Sequence, residues 1–580
     1  MNLFSDIKNL VKQSVKNMVL AGDLPAGLEL SLITVEPPRD ASHGDMATNA
    51  AMVLAKPAGQ TPGVIADKLA TLLEKDIRIV EAWVAGPGFI NLRLDDKVLQ
   101  ALVVSILNMG TNFGRANFGT DIKVNVEFVS ANPTGPMHVG HVRGAVFGDT
   151  LARLLSFVGY EVTREYYIND GGAQVDVLAR SAFQRYRQAY GHEPQISDGL
   201  YPGDYLIPVG EAMKKKYGAS LLNQPEKIWL NDVRDLAGDM MMAMIHEDLA
   251  SLNVKMDVYS SEKSLYVTGQ IEAAIKKLRA QGLIYEGVLE APKGKTLEDW
   301  EPREQTLFKS SKFGDDVDRP VMKSDGSWTY FAPDIAYHYD KVQRGFDQLI
   351  DVFGADHGGY VKRMKAIVTA LSYGKTTLDI KLIQLVKLLK NGEPFKMSKR
   401  AGTFVTLREV VELVGADVTR FVMLTRKNDA PLDFDFDKVL EQSKDNPVFY
   451  VQYANARINS VMVKAKALGL DVSDAALAKM DPAVLSHAAE LTLIKKMSEW
   501  PRLVEIAARG NEPHRVAFYL YDLASELHSL WNSGNDTIEL RFLQEDFAIM
   551  AAKIALARAV GVVISSGLAI LGVTPVEEMR

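Results

Sequence analysis

The chain has 580 residues, too many for one hydrophobic core, and its 47% hydrophobic and 24% charged residues are those of a folded protein, so about three domains are expected. It has no cysteine, which excludes disulfides, thiolate metal sites and a cysteine nucleophile. A formal net charge of −7 argues mildly against a polyanionic partner, although binding depends on where positive charge gathers and not on its sum.

The opening MNLFSDIKNLVKQSVKNMVL is an amphipathic helix pattern over 3–20. It carries acids and no long apolar core, so neither export nor a membrane span is expected, and a cytoplasmic location follows as the expectation. Residues 1–112 read as a small mixed domain, with a second helix near 62–75 and strands in LITVEPP and AWVAGPGFINLRL. Between those strands, His43-Gly44-Asp45 leads into MATNAAMVLA, which reads as a capped helix. Gly86 and Gly88 mark turns before a strand at 89–93, and the polar run Asn108–Thr120 reads as a linker.

From Ile122 the chain alternates, with Ile122, Val124, Val126 and Phe128 on one face and Lys123, Asn125 and Glu127 on the other, the period of a strand. Asn132-Pro133-Thr134-Gly135-Pro136 breaks that pattern, and a helix begins near Met137 or His138. His138 and His141 share one face near its N-terminus, and Gly140 between them lets a flat group approach the backbone. A polar strand end leading through such a turn into a helix N-terminus is where an α/β fold binds phosphorylated ligands. The glycine spacing is not the usual dinucleotide fingerprint, and two histidines without evident third and fourth ligands make no convincing metal site. Taken alone, the segment leaves a structural turn and a nucleotide site both open.

A helix Val142–Phe157 and a strand Glu161–Ile168 follow, then the turn Asn169-Asp170-Gly171-Gly172, beside which Asp170 and Gln174 could face a ligand. Residues 180–255 read as an insertion with helices around 209–216 and 230–250, and a further helix is expected at 267–280. Trp328–Phe331 reads as a short strand running into Asp334. A buried strand Leu349–Phe353 ends in Gly354-Ala355-Asp356-His357-Gly358-Gly359, a second convergence of glycines and polar groups at a strand's carboxyl end, and a helix bearing Lys362, Arg363 and Lys365 succeeds it. After the tight turn Asn391-Gly392-Glu393-Pro394, Lys396, Lys399 and Arg400 cluster beside Ala401-Gly402. Such a loop suits a polyphosphate, where an ordinary charge run would be a solvated face. Beyond Glu409 the chain is mostly helical, broken near Ala430–Phe436, with helices expected at Val448–Ala465, Pro482–Glu499, Pro513–Asn532 and Glu545–Leu571. There Tyr450, Tyr453, Asn455, Arg457, Tyr519, Tyr521, Trp531 and Asn532 could stack on or read unpaired bases, and ordinary core packing accounts for any one of them equally well.

Together, His138-Val139-Gly140-His141 and Lys396-Met397-Ser398-Lys399-Arg400 resemble the paired signature motifs of class I aminoacyl-tRNA synthetases. VEFVSANPTGPMHVGHVRGAVFGD, with FKMSKRAG and SHGDMATNAAM, closely resembles arginyl-tRNA synthetases, and the likeness covers the chain. Arg400 departs from the class consensus, which has serine there. The resemblance implies an α/β multidomain protein. Its parts would be an N-terminal α+β domain that contacts tRNA (1–112), a Rossmann-type catalytic core with the insertion and the KMSK-type loop (113–440), and an all-helical anticodon-binding domain (441–580).

The resemblance further implies activation of L-arginine with ATP and transfer of the arginyl group to the 3′-terminal adenosine of tRNA-Arg, with Mg2+ accompanying ATP and no structural metal. On that likeness His138, His141, Lys396 and Lys399 are the catalytic residues, and Gly140, Met397 and Ser398 join them at ATP. Glu127 and Asn132 would contact arginine, Tyr330 and Asp334 would line its side-chain pocket, and His357 with Asp356 would border it. Tyr450, Tyr453, Asn455, Arg457 and Trp531 would meet tRNA. A monomer without membrane attachment is expected. Another class I synthetase would share both phosphate motifs without using Glu127 and Asp334 for a guanidinium. A small nucleotidyltransferase would have no use for the C-terminal helices. An inactive tRNA-binding relative would predict decay of the lysine loop, yet Lys396 and Lys399 are both present.

Overall fold

The computed structural model describes residues 2–289, 303–395 and 405–579. They pack as two units, Met1–Ala116 with Gln442–Arg580, and Asn117–Glu441.

The first unit opens with α1 (Leu3–Leu20), capped by the Asn2 side chain, which accepts from the Ser5 N–H; Leu3, Ile7, Val11, Val15 and Met18 form its buried stripe. A four-stranded antiparallel sheet follows, ordered β1-β2-β4-β3, from β1 (Val35–Glu36), β2 (Met46–Thr48), β3 (Ile79–Ala85) and β4 (Phe89–Leu94). Helices α2 (Ala50–Ala58) and α3 (Pro62–Leu73) lie between β2 and β3 in the chain. MATNAAMVLA is therefore not one capped helix. Its first three residues pair with β4, where Met46 and Thr48 are buried, and Asn49 does not cap α2 but accepts from the Thr34 N–H at 2.8 Å. Cross-strand pairing decided this, and local capping signals cannot report it. AWVAGPGFINLRL is a hairpin and not one strand, turning at Gly86 and Gly88 with φ of 54° and 130°. The expected linker begins as the end of α4 (Asp96–Met109), which buries Leu99, Leu102, Val103 and Ile106.

The second unit is built on a parallel five-stranded sheet, ordered β12-β11-β5-β6-β7. In chain order it comprises β5 (Lys123–Glu127), α5 (Val139–Phe157), β6 (Glu161–Ile168), α6 (Ala173–Ala189), α7 (Ile207–Tyr217), α8 (Glu226–Ser251), β7 (Val258–Ser261), α9 (Glu262–Val267) and α10 (Gln270–Ala280). Next come β8 (Ile284–Gly287), β9 (Gln305–Phe308), β10 (Arg319–Met322), α11 (Phe331–Gln343), β11 (Gln348–Gly354), α12 (Val361–Ser372) and β12 (Thr377–Ile383). From β5 the chain builds outward to β6 and β7 on one side and later to β11 and β12 on the other. The strand order thus reverses between β5 and β11, and an open α/β sheet binds ligands at the carboxyl ends beside such a reversal.

As the middle strand, β5 is covered on both faces, so the polar face expected at Asn125 and Glu127 is buried, at 0% and 5% exposure. Both side chains consequently have partners: the Asn125 amide donates to Glu165, and Glu127 accepts from Lys341. Trp328–Phe331 is not a strand either. Trp328 makes one bridge to Met322, Tyr330 is the N-cap of α11, and Pro333 sits in that helix's first turn, where no N–H is needed. The insertion has its own core around α6, α7 and α8, with Phe183 stacked on Trp229 at 4.0 Å. The unit closes with β13 (Val386–Lys390), β14 (Glu393–Pro394), α13 (Leu407–Val414), α14 (Ala416–Met423), β15 (Leu432–Asp435) and α15 (Phe436–Leu440). Asn391 and Gly392 turn the β13–β14 hairpin with φ of 52° and 78°, the left-handed pair such a tight turn requires.

The chain then returns to the first unit as α16 (Pro447–Ala467), α17 (Asp474–Leu477), α18 (Ala488–Ser498), α19 (Trp500–Gly510), α20 (His514–Asp536) and α21 (Phe547–Leu571). α21 is long and apolar enough to cross a membrane, but 83% of its apolar window is buried as the bundle's core helix. The bundle is joined to the N-terminal segment by the Trp500 indole donating to the Phe113 carbonyl at 3.0 Å, Gln100 donating to the Leu485 carbonyl at 3.1 Å, and Lys495 pairing with Asp45 at 2.6 Å.

Candidate active site

Beyond Glu127 the chain leaves the sheet through Val129 and Ser130, whose φ of 72° and 42° are left-handed; the Ser130 N–H donates to the Phe128 carbonyl and closes a tight turn. A β-branched residue is strained in that region, and such strain persists only where the surroundings over-determine it. Here they do so through the Ser130 hydroxyl, which donates to Glu127 Oε1 at 3.0 Å and accepts from the Tyr167 N–H at 3.1 Å.

His138 is the N-cap of α5, its Nδ1 accepting from the Gly140 N–H at 3.1 Å, while His141 Nδ1 accepts from the His138 N–H at 3.3 Å. The two rings stack at 3.8 Å. Accepting at Nδ1 fixes the neutral tautomer with its proton on Nε2. Burial lowers the pKa of His138, and burial together with the neighbouring His138 lowers that of His141 to about 3. At neutral pH the signature histidines are hydrogen-bond donors and not cations. Beside them the Val139 N–H donates to the Val405 carbonyl at 3.1 Å and the Leu407 N–H to the Met137 carbonyl at 2.8 Å, so the chain just past the lysine loop is strapped to the histidine turn. Arg143 on α5 is 1% exposed and clamps three carbonyls, those of Gln384, Lys427 and Ala430, at 2.7–3.0 Å.

Two adjoining cavities occupy the carboxyl edge of the sheet. The larger, about 780 Å³, is walled by Asn132, His138, Gly140, His141, Asp356, His357 and Gln384. The smaller, about 430 Å³, is walled by Glu127, Tyr167, Glu262, Tyr330, Asp334 and Tyr337. They share Val129, Ser130, Asn169, Val352, Phe353, Gly354 and His357. The structure therefore brings the expected histidines and Gly140 into one cavity, and Glu127, Tyr330 and Asp334 into the next, with His357 between. Asn132 lies in the larger cavity, its amide donating to Gln174 at 2.7 Å. Tyr330 stands at the mouth, 87% exposed. Lys396, Met397, Ser398, Lys399 and Arg400 lie outside the described residues.

The smaller cavity is acidic and poorly solvated. Burial raises the Asp334 pKa to about 7, with Glu262, Glu127 and Asp351 adding to the rise and His338 opposing it. Burial also raises Glu262. Beneath the floor, Lys341 Nζ lies 2.6 Å from Glu127 and 3.1 Å from Asp351, and His338 Nε2 lies 2.9 Å from Asp351. Burial would lower Lys341, but Asp351, Glu127 and Glu165 outweigh it and keep the lysine charged. Burial likewise favours neutral Asp351, yet Lys341 and His338 bring it to about 2. Glu127 is pushed up by burial despite Lys341, which makes it the more readily protonated of the two carboxylates. Ligand atoms of Glu127, His338 and Asp351 lie within 4.8 Å of one another, but the Lys341 ammonium already touches two of the three, so the trio does not fit a metal ion.

Glu262, Tyr337, His338, Lys341 and Asp351 escaped the sequence reading. The spacing of Asp334, His338 and Lys341 on one helix face was an available signal; the position of Glu262 beside them was not.

In the helical bundle, Tyr450, Tyr453 and Arg457 share a face of α16. The Arg457 guanidinium lies 4.4 Å from the Tyr453 ring and 5.2 Å from Trp531, and meets His528 Nδ1 at 3.0 Å. Asn455 is not among them: it is 5% exposed and its amide donates to the Val576 carbonyl at 2.9 Å, holding the C-terminal segment.

The family described as "tRNA synthetases class I (R), catalytic domain" matches residues 102–460, "Arginyl tRNA synthetase N terminal domain" matches 5–94, and "DALR anticodon binding domain" matches 451–579. The chain is 74% identical over 580 residues to the Arginine--tRNA ligase of Cereibacter sphaeroides strain KD131 and 72% identical over 581 residues to that of Paracoccus denitrificans, with 100% of each chain covered in both comparisons. Thermus thermophilus arginyl-tRNA synthetase has the same fold, with a TM-score of 0.75, 21% identity and 100% of both chains covered. By these matches along its whole length, and by a histidine-walled cavity opening into an acidic one, the chain belongs to the arginine--tRNA ligase family.

Proposed function

We propose that the chain activates L-arginine with ATP and transfers the arginyl group to the 3′-terminal adenosine of tRNA-Arg. One observation carries the assignment of the site: an acidic cavity sized for an amino acid shares a wall with a larger cavity lined by the signature histidines. Arginine in the first directs its carboxylate across that wall at the α-phosphorus of ATP in the second. The carboxylate oxygen bonds to phosphorus, the bond to the β-phosphate oxygen breaks, and pyrophosphate leaves with its Mg2+. A hydroxyl of the terminal adenosine then attacks the arginyl carbonyl and AMP departs. No protein nucleophile is needed, so catalysis consists of positioning and of stabilising charge on phosphate.

His138 and His141 act as neutral N–H donors at the helix N-terminus of α5. The positive charge for the leaving pyrophosphate is left to Lys396 and Lys399, whose motif is followed in the chain by Val405–Leu407, the segment bonded to the histidine turn. Asp334 and Glu262 meet the guanidinium, which supplies the counter-charge that burial denies them. Glu127 in the smaller cavity and Asn132 in the larger suit the amino end of the substrate, and Tyr330 stands at the mouth. Tyr450, Tyr453, Arg457 and Trp531 offer stacking faces and a cation to unpaired tRNA bases.

Aminoacylation of unfractionated tRNA by the purified chain, with ATP and each of the twenty amino acids in turn, tests the assignment. Charging with arginine alone is expected; charging with a different amino acid would discard the guanidinium pocket.

A further inference from the structure

α11 meets the sheet with a face made of Asp334, Tyr337, His338 and Lys341. Beneath that face β5 and β11 run parallel as neighbours, and Glu127 and Asp351 are register partners, so two carboxylates stand abreast in the interior at 5% and 0% exposure. Adjacent strands are about 4.8 Å apart, and two like charges at that spacing, away from water, cannot both persist without a cation. Lys341, itself 0% exposed, bridges them, its ammonium passing 4.3 Å from the Tyr337 ring centre. Asp351 has a second partner in His338, whose Nδ1 is anchored at 2.9 Å to the Asp334 carbonyl one turn back. Glu165 on β6 also faces the cluster, but Arg344 at 2.8 Å neutralises it. Of the two bridged carboxylates, Glu127 lines the smaller cavity, held there by Ser130 as well.

We propose that Lys341 is a positioning residue for arginine: a built-in counter-cation, out of reach of the substrate, that keeps Glu127 charged and aimed into the pocket by neutralising it jointly with Asp351. The inference rests on reading the smaller cavity as the arginine site. Without Lys341 the register pair must share a proton, and Glu127, the carboxylate with only the Ser130 hydroxyl left, takes it. The pocket then loses one negative charge while the histidine-walled cavity is untouched. Arginine binding suffers and ATP binding does not.

The test is steady-state aminoacylation by the full chain carrying K341M, K341M with D351N, and E127Q, each with its melting temperature. K341M should raise the arginine KM by about tenfold, the effect of displacing one ionisation by one pH unit, with the ATP KM unchanged. The increase should shrink as pH rises and Glu127 regains its charge. Adding D351N removes the competing carboxylate and should return the arginine KM to within about threefold of the parent, well under the shift of one pH unit. An unchanged arginine KM in K341M alongside a lower melting temperature would reduce Lys341 to a structural ion pair and overturn the proposal. So would a raised arginine KM that D351N fails to rescue. Should K341M not fold, the double variant and K341R carry the test: near-parental arginine KM in both supports the proposal, and a raised value in the double variant overturns it. E127Q separates the two levels. If it leaves the arginine KM alone, the arginine-site reading itself fails; if it raises the KM and K341M does not, only the role of Lys341 fails.

Discussion

Among the described residues two lysines are buried, one in each unit. Lys553 on α21 pairs with Glu490 of α18, one carboxylate to one ammonium, within the helical bundle. Lys341 in the parallel-sheet unit is shared by two carboxylates, one of which faces a cavity. Both pay the same kind of desolvation cost, and neither is evidence of stability in itself. The difference lies in what remains unmatched. The one-to-one pair is complete, whereas a shared lysine leaves charge to be met by something else: His338 for Asp351, and the occupant of the cavity for Glu127.

If that contrast is right, the largest loss on removing a buried lysine's charge should separate stability from catalysis. K553M with Glu490 retained should cost about 3–5 kcal/mol of folding stability by leaving a buried carboxylate alone, and K553M with E490L should recover most of it. Neither should change the arginine KM; a changed KM in the well-folded double variant would break the contrast. In the sheet unit, K399A should lower kcat by about 10²–10³ with a modest effect on arginine KM, as expected when one donor to developing charge is lost. An unchanged kcat would remove Lys399 from the reaction.

D334N should lower kcat/KM for arginine roughly 100-fold, the order expected for truncating a desolvated charge pair, and leave the ATP KM in place. Its pH dependence sharpens the point. Unliganded Asp334 has a pKa of about 7, and a guanidinium lowers it, so binding releases a proton below pH 7. The arginine KM of the parent should therefore rise as pH falls through 7, and D334N should lose that dependence. The smallest effect belongs to the bundle: R457A should raise the tRNA KM several-fold, about 1 kcal/mol, by unstacking Tyr453 and Trp531, with the arginine KM unchanged.

Wherever the signal is local, the chain declares itself. β6 spans Glu161–Ile168, the same residues the sequence reading assigns to a strand, and His138 caps α5 directly after the proline and glycine turn. MATNAAMVLA misleads because its strand exists only through pairing with β1 and with β4, the latter more than forty residues away, and Trp328–Phe331 misleads because a helix cap outcompetes a strand that has a single bridge. Asn455 reads as a base-reading amide until the tail at Val576 claims it. The lysine loop, clearest of the sequence motifs, lies outside the described residues, and its chemistry rests on its spacing and on the strap beside it.

By itself the sequence determined the two signature motifs, the order of an α+β segment, an α/β core and a helical region, and the family they indicate. Those depend on residue identity at short spacing, which the chain carries directly. Only the tertiary structure decided that the signature histidines are neutral donors, that Glu127 stands beside Asp351 across a shared lysine, that Glu262 joins Asp334 at the pocket, and that the first and last segments form one unit. Protonation and pairing follow from burial and strand register, and both are set by residues brought together from hundreds of positions apart.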